Sequence, residues 1–422
     1  MNRFAIWIVL VGILGSCSST SVEERRLKTG VWRATVEIQG QELPFNFEVT
    51  RDAEGGYDVY LLNASERLLL DEVSVRGDSV DMVLHIFDAN IKAAIQGDTL
   101  LTGLFIKNYA DDYRIPFQAR HGVQYRFFDP QDNTSGANFS GKYEVTFRHE
   151  DETTNAIALF RQRDGVLTGT FMTPTGDYRF LEGNITDSTL YLSTFDGNYS
   201  YLFKGSLQQD GTIKGEFFSG KTWYETWVAR RNERAELPDA TSLTYLKEGY
   251  EKISFAFPDI SGKSVSLDDP KYKGKVVILQ ILGTWCPNCM DETKFLVPWY
   301  DANKDRGVEI IGLAYERKPD FDYASARVKK MVEKMNVTYD ILIAGTSDKE
   351  SAAKTLPMLN SIVAFPTTIF IGKDGKVKKI HTGFSGPGTR QYYEQFKEEF
   401  NETVNSLLQE VVPPQEDFTA KR

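Results

Sequence analysis

The sequence predicts a multidomain chain: a C-terminal α/β domain with its sheet covered on both faces, preceded by an all-β region of two repeated small units. Three observations carry this. From Gly30 to about Arg231, short alternating apolar runs recur between turn signals. That stretch repeats itself at an offset of about 110 residues, too long for a solenoid repeat and suited to a duplicated small domain. From Ile253 the pattern changes to buried apolar strands separated by amphipathic helical segments, ending in a hairpin and a helix.

The chain has 422 residues, enough for two or three domains, and 41% of them are hydrophobic. A net charge of −10 argues against a nucleic-acid partner, which needs a basic surface. The frequent aromatics, 20 Tyr and 27 Phe, suit a β-rich portion. At the N-terminus Arg3 precedes an apolar run from Phe4 to Leu14, too short for a membrane span and fitting a signal peptide. It ends in Leu14-Gly15-Ser16-Cys17, which resembles the lipobox of bacterial lipoproteins. The resemblance implies cleavage before Cys17 and lipidation of that residue, hence a lipid-membrane anchor. An ordinary signal peptide is the alternative. Both readings take the protein out of the cytoplasm, to a periplasm-facing place in the cell envelope.

Residues 1–16 are thus read as the signal peptide and 17–28 as a polar tether. Repeat one spans 29–122 and repeat two 136–231. Gly30-Val31-Trp32-Arg33-Ala34-Thr35 corresponds to Gly141-Lys142-Tyr143-Glu144-Val145-Thr146, and Phe87-Asp88-Ala89-Asn90 to Phe195-Asp196-Gly197-Asn198. Each copy offers roughly seven or eight short strands, a meander that closes into a barrel or sandwich. The opening Gly-x-Trp/Tyr strand and the Trp223–Trp227 strand resemble the small barrels of the lipocalin and avidin type. Such barrels hold a ligand or are filled by their own side chains.

Residues 232–250 read as a linker, with a short helix expected over Ser242–Tyr250. The domain 251–411 holds the most informative stretch, and 412–422 reads as a disordered tail. The apolar run Val276–Leu282 predicts a buried strand, followed by Trp285-Cys286-Pro287-Asn288-Cys289 with Pro287 at a first helical position. Two cysteines so spaced at a strand-to-helix turn form a redox pair. A helix N-terminus stabilises a thiolate, so Cys286 is expected to attack and Cys289, one turn on, to resolve. A static disulfide or half of a zinc site are the other readings. Zinc needs four ligands, whereas the third cysteine, Cys17, is far upstream and the four histidines are scattered, so no metal is expected.

Residues 250–410 resemble the thioredoxin-like TlpA/ResA group of exported thiol-disulfide oxidoreductases. The motifs are Gly283-Thr284-Trp285-Cys286-Pro287-Asn288-Cys289 and Phe365-Pro366-Thr367-Thr368-Ile369-Phe370-Ile371-Gly372-Lys373-Asp374-Gly375, in the family's order and spacing. The segment Glu316–Leu359 matches the insertion that separates this group from plain thioredoxin. The resemblance implies a cis Pro366 beside the cysteine pair, with the backbone of Phe365 pairing with substrate and Trp285, Pro287 and Thr367 helping to position it. Two departures stand out. Gln280 occupies the place of the buried Asp that accepts the resolving thiol's proton, and it cannot take one. Glu292 matches the carboxylate of the ResA branch; partly buried, it would serve as general base to Cys289, and the alternative is an exposed first-turn Glu. The second departure is the order Pro287-Asn288, since many members keep proline next to the second Cys.

The expected function is an envelope-anchored oxidoreductase that reduces disulfides in exported proteins, without a cofactor, with electrons from a membrane thiol donor as the resemblance implies. A peroxidase is disfavoured, because Gly283 and Leu279 stand where its Thr or Ser and Pro belong. A copper-delivery module would use the two thiols and His381. A third reading makes the β repeats a ligand or glycan binder with an accessory redox domain.

Overall fold

The computed structural model describes residues 27–129 and 137–411. The signal segment, Cys17, most of the tether and the tail 412–422 lie outside the described residues. Among these residues no helix is long and apolar enough to cross a membrane.

The first β unit contains β1 (Gly30–Ile38), β2 (Gln41–Arg51), β3 (Tyr57–Asn63), β4 (Glu66–Leu70), β5 (Val73–Arg76), β6 (Ser79–Val83), β7 (Ala89–Gln96), β8 (Leu100–Lys107) and β9 (Arg114–His121). They pair antiparallel in the order β4-β3-β2-β1-β9-β8-β7-β6-β5. The second contains β10 (Gly141–His149), β11 (Glu152–Arg163), β12 (Val166–Thr173), β13 (Gly176–Asp177), β14 (Leu181–Thr186), β15 (Thr189–Phe195), β16 (Ser200–Leu207), β17 (Ile213–Ser219) and β18 (Trp223–Arg231). Here β11 also pairs with β12, so the meander closes on itself. Each unit has nine strands where seven or eight were expected. The extra ones are short: β13 has 2 residues and β5 has 4, too few to print an alternation.

The second barrel is filled by its own side chains. Phe147, Phe171, Phe203, Phe217 and Trp227 are buried inside, with the rings of Phe203 and Phe217 stacked at 4.3 Å. Gly215 makes room for Trp227, because a Cβ there would lie 2.3 Å from the indole. Burying such rings is the main driving force available to a small barrel.

The C-terminal domain opens with the hairpin β19 (Ala256–Pro258) and β20 (Ser264–Ser266). Then follow β21 (Val276–Leu282), α1 (Pro287–Asn303), β22 (Val308–Glu316), α2 (Phe321–Met335), β23 (Asp340–Thr346), α3 (Lys349–Thr355), β24 (Thr367–Ile371), β25 (Val377–Thr382) and α4 (Gln391–Gln409). The sheet order is β23-β22-β21-β24-β25, parallel across the first three and antiparallel at β24 and β25. Every residue of the central β21 is buried. Its alternating side chains feed two cores, Val276, Ile278 and Leu282 toward α1, α2 and α4, and Val277, Leu279 and Ile281 toward α3. This is a thioredoxin-like fold preceded by barrel-like β sheets. The helix expected over Ser242–Tyr250 is absent. Leu246 instead bridges to Leu359 and the Lys247 N–H donates to Met358 O, so pairing across the domain takes the backbone groups a helix would have used.

Candidate active site

β21 delivers the chain to the top of the sheet, where it turns through Gly283, Thr284 and Trp285 into α1. The turn is tied down by Glu316 at the end of β22, which accepts from the Thr284 backbone N–H (2.9 Å) and hydroxyl (2.8 Å). Trp285 folds back, donating from Nε1 to Tyr315 O at 2.8 Å. Gly283 permits this, since a Cβ there would meet the Trp285 ring nitrogen at 2.2 Å.

Cys286 is the N-cap of α1, with extended backbone at φ −99° and ψ 110°, and Pro287 is the first helical residue. The Cys289 N–H donates to Cys286 Sγ at 3.1 Å. The two sulfurs form a disulfide, with Cα atoms 5.2 Å apart. Once reduced, a thiolate at Cys286 meets that N–H and the positive end of the helix, the arrangement that favours the anion. Phe365 O lies 3.4 Å from Cys286 Sγ, and the Phe365–Pro366 peptide is cis. The Phe365 ring sits edge-on to Trp285 at 5.4 Å. Trp285, Cys286, Pro287, Cys289, Phe365 and Pro366 thus converge. Thr367 is adjacent but turns away, its hydroxyl donating to Ala364 O at 2.8 Å.

Glu292 lies one helical turn beyond Cys289 and is fully buried, so the exposed first-turn alternative does not hold. It accepts from Gln280 Nε2 at 2.8 Å and from the Thr368 hydroxyl at 2.6 Å. Burial pushes its carboxyl up to about 7, against the pull of those two donors. Gln280, where plain thioredoxin has an acid, therefore holds the acid that replaces it. Thr368 escaped the sequence reading; strand alternation after Pro366 would have turned it toward this site.

The larger omission is what covers the motif. Asn288 donates from Nδ2 to Asp177 O at 2.9 Å and accepts from the Tyr199 hydroxyl at 3.3 Å. Asp291 is held by Arg179, through Nε at 2.7 Å and Nη2 at 3.0 Å. Arg179 also donates to Asp196, at 2.7 Å, and to Glu66. One guanidinium therefore joins both β units to α1, and its surroundings hold Asp291 below the usual carboxylate range. Arg317 lies over the Trp285 ring at 5.0 Å and donates to Asn198 at 3.0 Å. Asp88, the counterpart of Asp196 in the first unit, pairs with Arg327 at 3.1 Å and accepts from Tyr323 at 3.0 Å. The repeated Phe-Asp-x-Asn turn thus meets the C-terminal domain in both β units. Only that repeat hinted at the contact in sequence.

His381 sits on β25 with its ring 5.2 Å from Phe396, and burial lowers its pKa to about 4. Among the described residues, no three His, Cys, Asp or Glu side chains are grouped to hold a metal, so His381 does not join the two sulfurs as a copper site would need.

Residues 249–380 match the model of the AhpC/TSA family. The thiol-disulfide oxidoreductase ResA of Bacillus thuringiensis subsp. konkukian is 30% identical over 148 residues, covering 35% of this chain and 75% of that protein. ResA of Geobacillus thermodenitrificans is 30% identical over 158 residues, covering 37% and 82%. A thioredoxin-family thiol:disulfide interchange protein from Chlorobium tepidum aligns with TM-score 0.30 and 21% identity, over 38% of this chain and 98% of that one. The β units lie outside the family-matched segment. By its buried Cys286–Cys289 pair at a helix start, its cis Pro366 and its 30% identity to the two ResA proteins, the chain belongs to the ResA thiol-disulfide oxidoreductases of the thioredoxin fold.

Proposed function

We propose that this protein is an envelope-anchored reductase of disulfides in exported proteins. The observation that carries the chemistry is Cys286 at the N-cap of α1, with the Cys289 N–H on its sulfur and Phe365 O beside it. In the reduced form the Cys286 thiolate attacks one sulfur of the substrate disulfide. That bond breaks, a mixed disulfide forms, and one substrate thiolate leaves. The Cys289 thiol then gives its proton to Glu292, and its thiolate attacks Cys286 Sγ, releasing the second substrate thiolate. Two electrons pass to the substrate and the Cys286–Cys289 bond is made. Phe365, Pro366 and Thr367 offer the backbone against which the substrate segment lies, with Trp285 and Pro287 beside them. A membrane thiol donor would restore the dithiol, and Cys17 would carry the lipid that keeps the two on one membrane. The family relationship and the Leu14–Cys17 motif support these last two assignments.

The β units read best as barrels of the lipocalin and avidin shape used for structure and docking rather than as ligand pockets, because the second is filled by rings. The test is trapping. Cys289→Ala should accumulate a mixed disulfide between Cys286 and its partner, and Cys286→Ala should abolish both trapping and insulin reduction. Insulin reduction that survives Cys286→Ala would sink the assignment of roles.

A further inference from the structure

The redox pair of this chain is closed over. Cys286 is 2% exposed and Cys289 1%, and Pro287 and Asn288, on the first turn of α1, and Asp291, just after it, are buried as well. An attacking or attacked sulfur needs an approach along the sulfur–sulfur line, so exchange with a protein disulfide is governed by access as much as by acidity. Over the start of α1 lies the strap Thr173–Arg179 of the second β unit, held at Asn288 and Asp291. Its turn inserts between the start of α1 and the loop after β25. Gly176, at φ +140°, lies so close that a Cβ there would meet Asn288 Nδ2 at 2.6 Å, and a Cβ on Gly383 would meet the Thr175 carbonyl carbon at 2.8 Å. Asp177 fixes the strap on both sides: its backbone O accepts from Asn288 and its carboxylate from the Gly386 N–H at 2.6 Å. Arg179 then locks onto Asp291.

We propose that this strap is a lid on the disulfide-exchange site, that Arg179–Asp291 is its latch, and that the strap must lift before Cys286 can meet a protein disulfide. The inference rests on the exchange reading above and concerns its regulation. Two features suit a lid that opens rather than a permanent seal. The contacts just described are hydrogen bonds and an ion pair, which water can replace. The strap itself is anchored in the second barrel, because Tyr178 packs against Phe203 and Phe217 of that barrel's own cluster, so it parts from α1 together with the second unit and the cluster stays intact. An occupant that competes for Asn288, the Gly386 N–H and Asp291 would hold the lid open. An extended peptide with a basic side chain has that chemistry, its carbonyls for the N–H donors and its cation for Asp291.

The test is the alkylation of Cys286 by iodoacetamide in the full-length reduced protein, read by peptide mass spectrometry so that Cys17 is counted separately. Rates are compared on the plateau above the thiol pKa, where a changed acidity no longer contributes. Asp291→Asn keeps Arg179 paired with Glu66 and Asp196. It is expected to raise the plateau rate and the hydrogen exchange of residues 173–179, each about tenfold or more, the factor carried by one charge-assisted hydrogen bond. Arg179→Gln should do at least as much, and if it fails to fold, Asp291→Asn decides alone. Wild-type Cys286 reacting as fast as an unstructured thiol peptide, or a plateau unchanged in Asp291→Asn, would overturn the lid. Gated alkylation with no insulin reduction by any variant would keep the lid and remove the exchange reading. Full insulin reduction, with alkylation insensitive to Asp291→Asn, would do the reverse.

Discussion

Burying a carboxyl without a cation beside it moves its titration upward, and Glu292 has only the neutral donors Gln280 and Thr368. With its carboxyl raised to about 7, half the molecules hold the basic form near neutral pH. The resolving step, timed as release from a mixed disulfide, should therefore accelerate as pH rises through about 7. Glu292→Gln should slow that step by about 100-fold or more, the usual worth of a general base, and flatten its pH profile. Thr368→Val removes a donor that favours the ionised form, so the midpoint should move upward while the maximal rate is kept. The same shift has a stability consequence. A carboxyl whose folded value lies above its unfolded one contributes stability that is fully present below about 4.5 and lost as pH climbs through about 7, of order 3 kcal/mol. Glu292→Gln should remove that dependence, which urea titrations at pH 5 and pH 8 would read. Sequence singled out Glu292 by its place after Cys289. Whether it was buried depended on β24 and Gln280 closing over it, a tertiary fact with no local pattern.

At the scale of elements, packing decides what the helices and barrels tolerate. α4 lies on α1 through aromatic edges: Phe400 meets Phe295 at 5.1 Å and Trp299 at 4.9 Å, and Phe370 of β24 at 5.2 Å. Phe400→Ala should cost about 3–5 kcal/mol in denaturant unfolding, because the surrounding rings cannot all collapse into the hole. In the second barrel Gly215→Ala should cost about 1–3 kcal/mol, since the new methyl meets Trp227 and Lys204 O. These helices and strands were legible for a plain reason. Val276–Leu282 is apolar throughout because both faces of β21 are covered, and the α2 apolar side recurs at helical spacing because one face alone is buried. The segment Ser242–Tyr250 misled because the partner that claims its backbone, at Met358 and Leu359, lies far along the chain.

For the whole molecule, the telling object is one arginine among three acids from three different parts of the chain. Arg179 is 1% exposed, and Glu66, Asp196 and Asp291 around it are at most 7% exposed at their side chains. Such positions leave no trace in a single sequence, where an Arg and an Asp far apart look like any surface pair. The magnitudes then say what the centre is for. A buried ion pair recovers little more than its desolvation cost, and an apolar cluster of the same size would hold the units together as well or better. Removing the cation alone is another matter, because it strands three buried carboxylates. Arg179→Ala should therefore destabilise the docked state by about 3–5 kcal/mol. The loss should fall on the joints between units rather than on the filled second barrel or the α3-side core of the C-terminal sheet, which contain no residue of the centre. Calorimetry of the full chain should then show the variant melting in separated steps, the first well below the wild-type transition. A single transition displaced as a block would mean that the three units fold as one and that the centre is ordinary core.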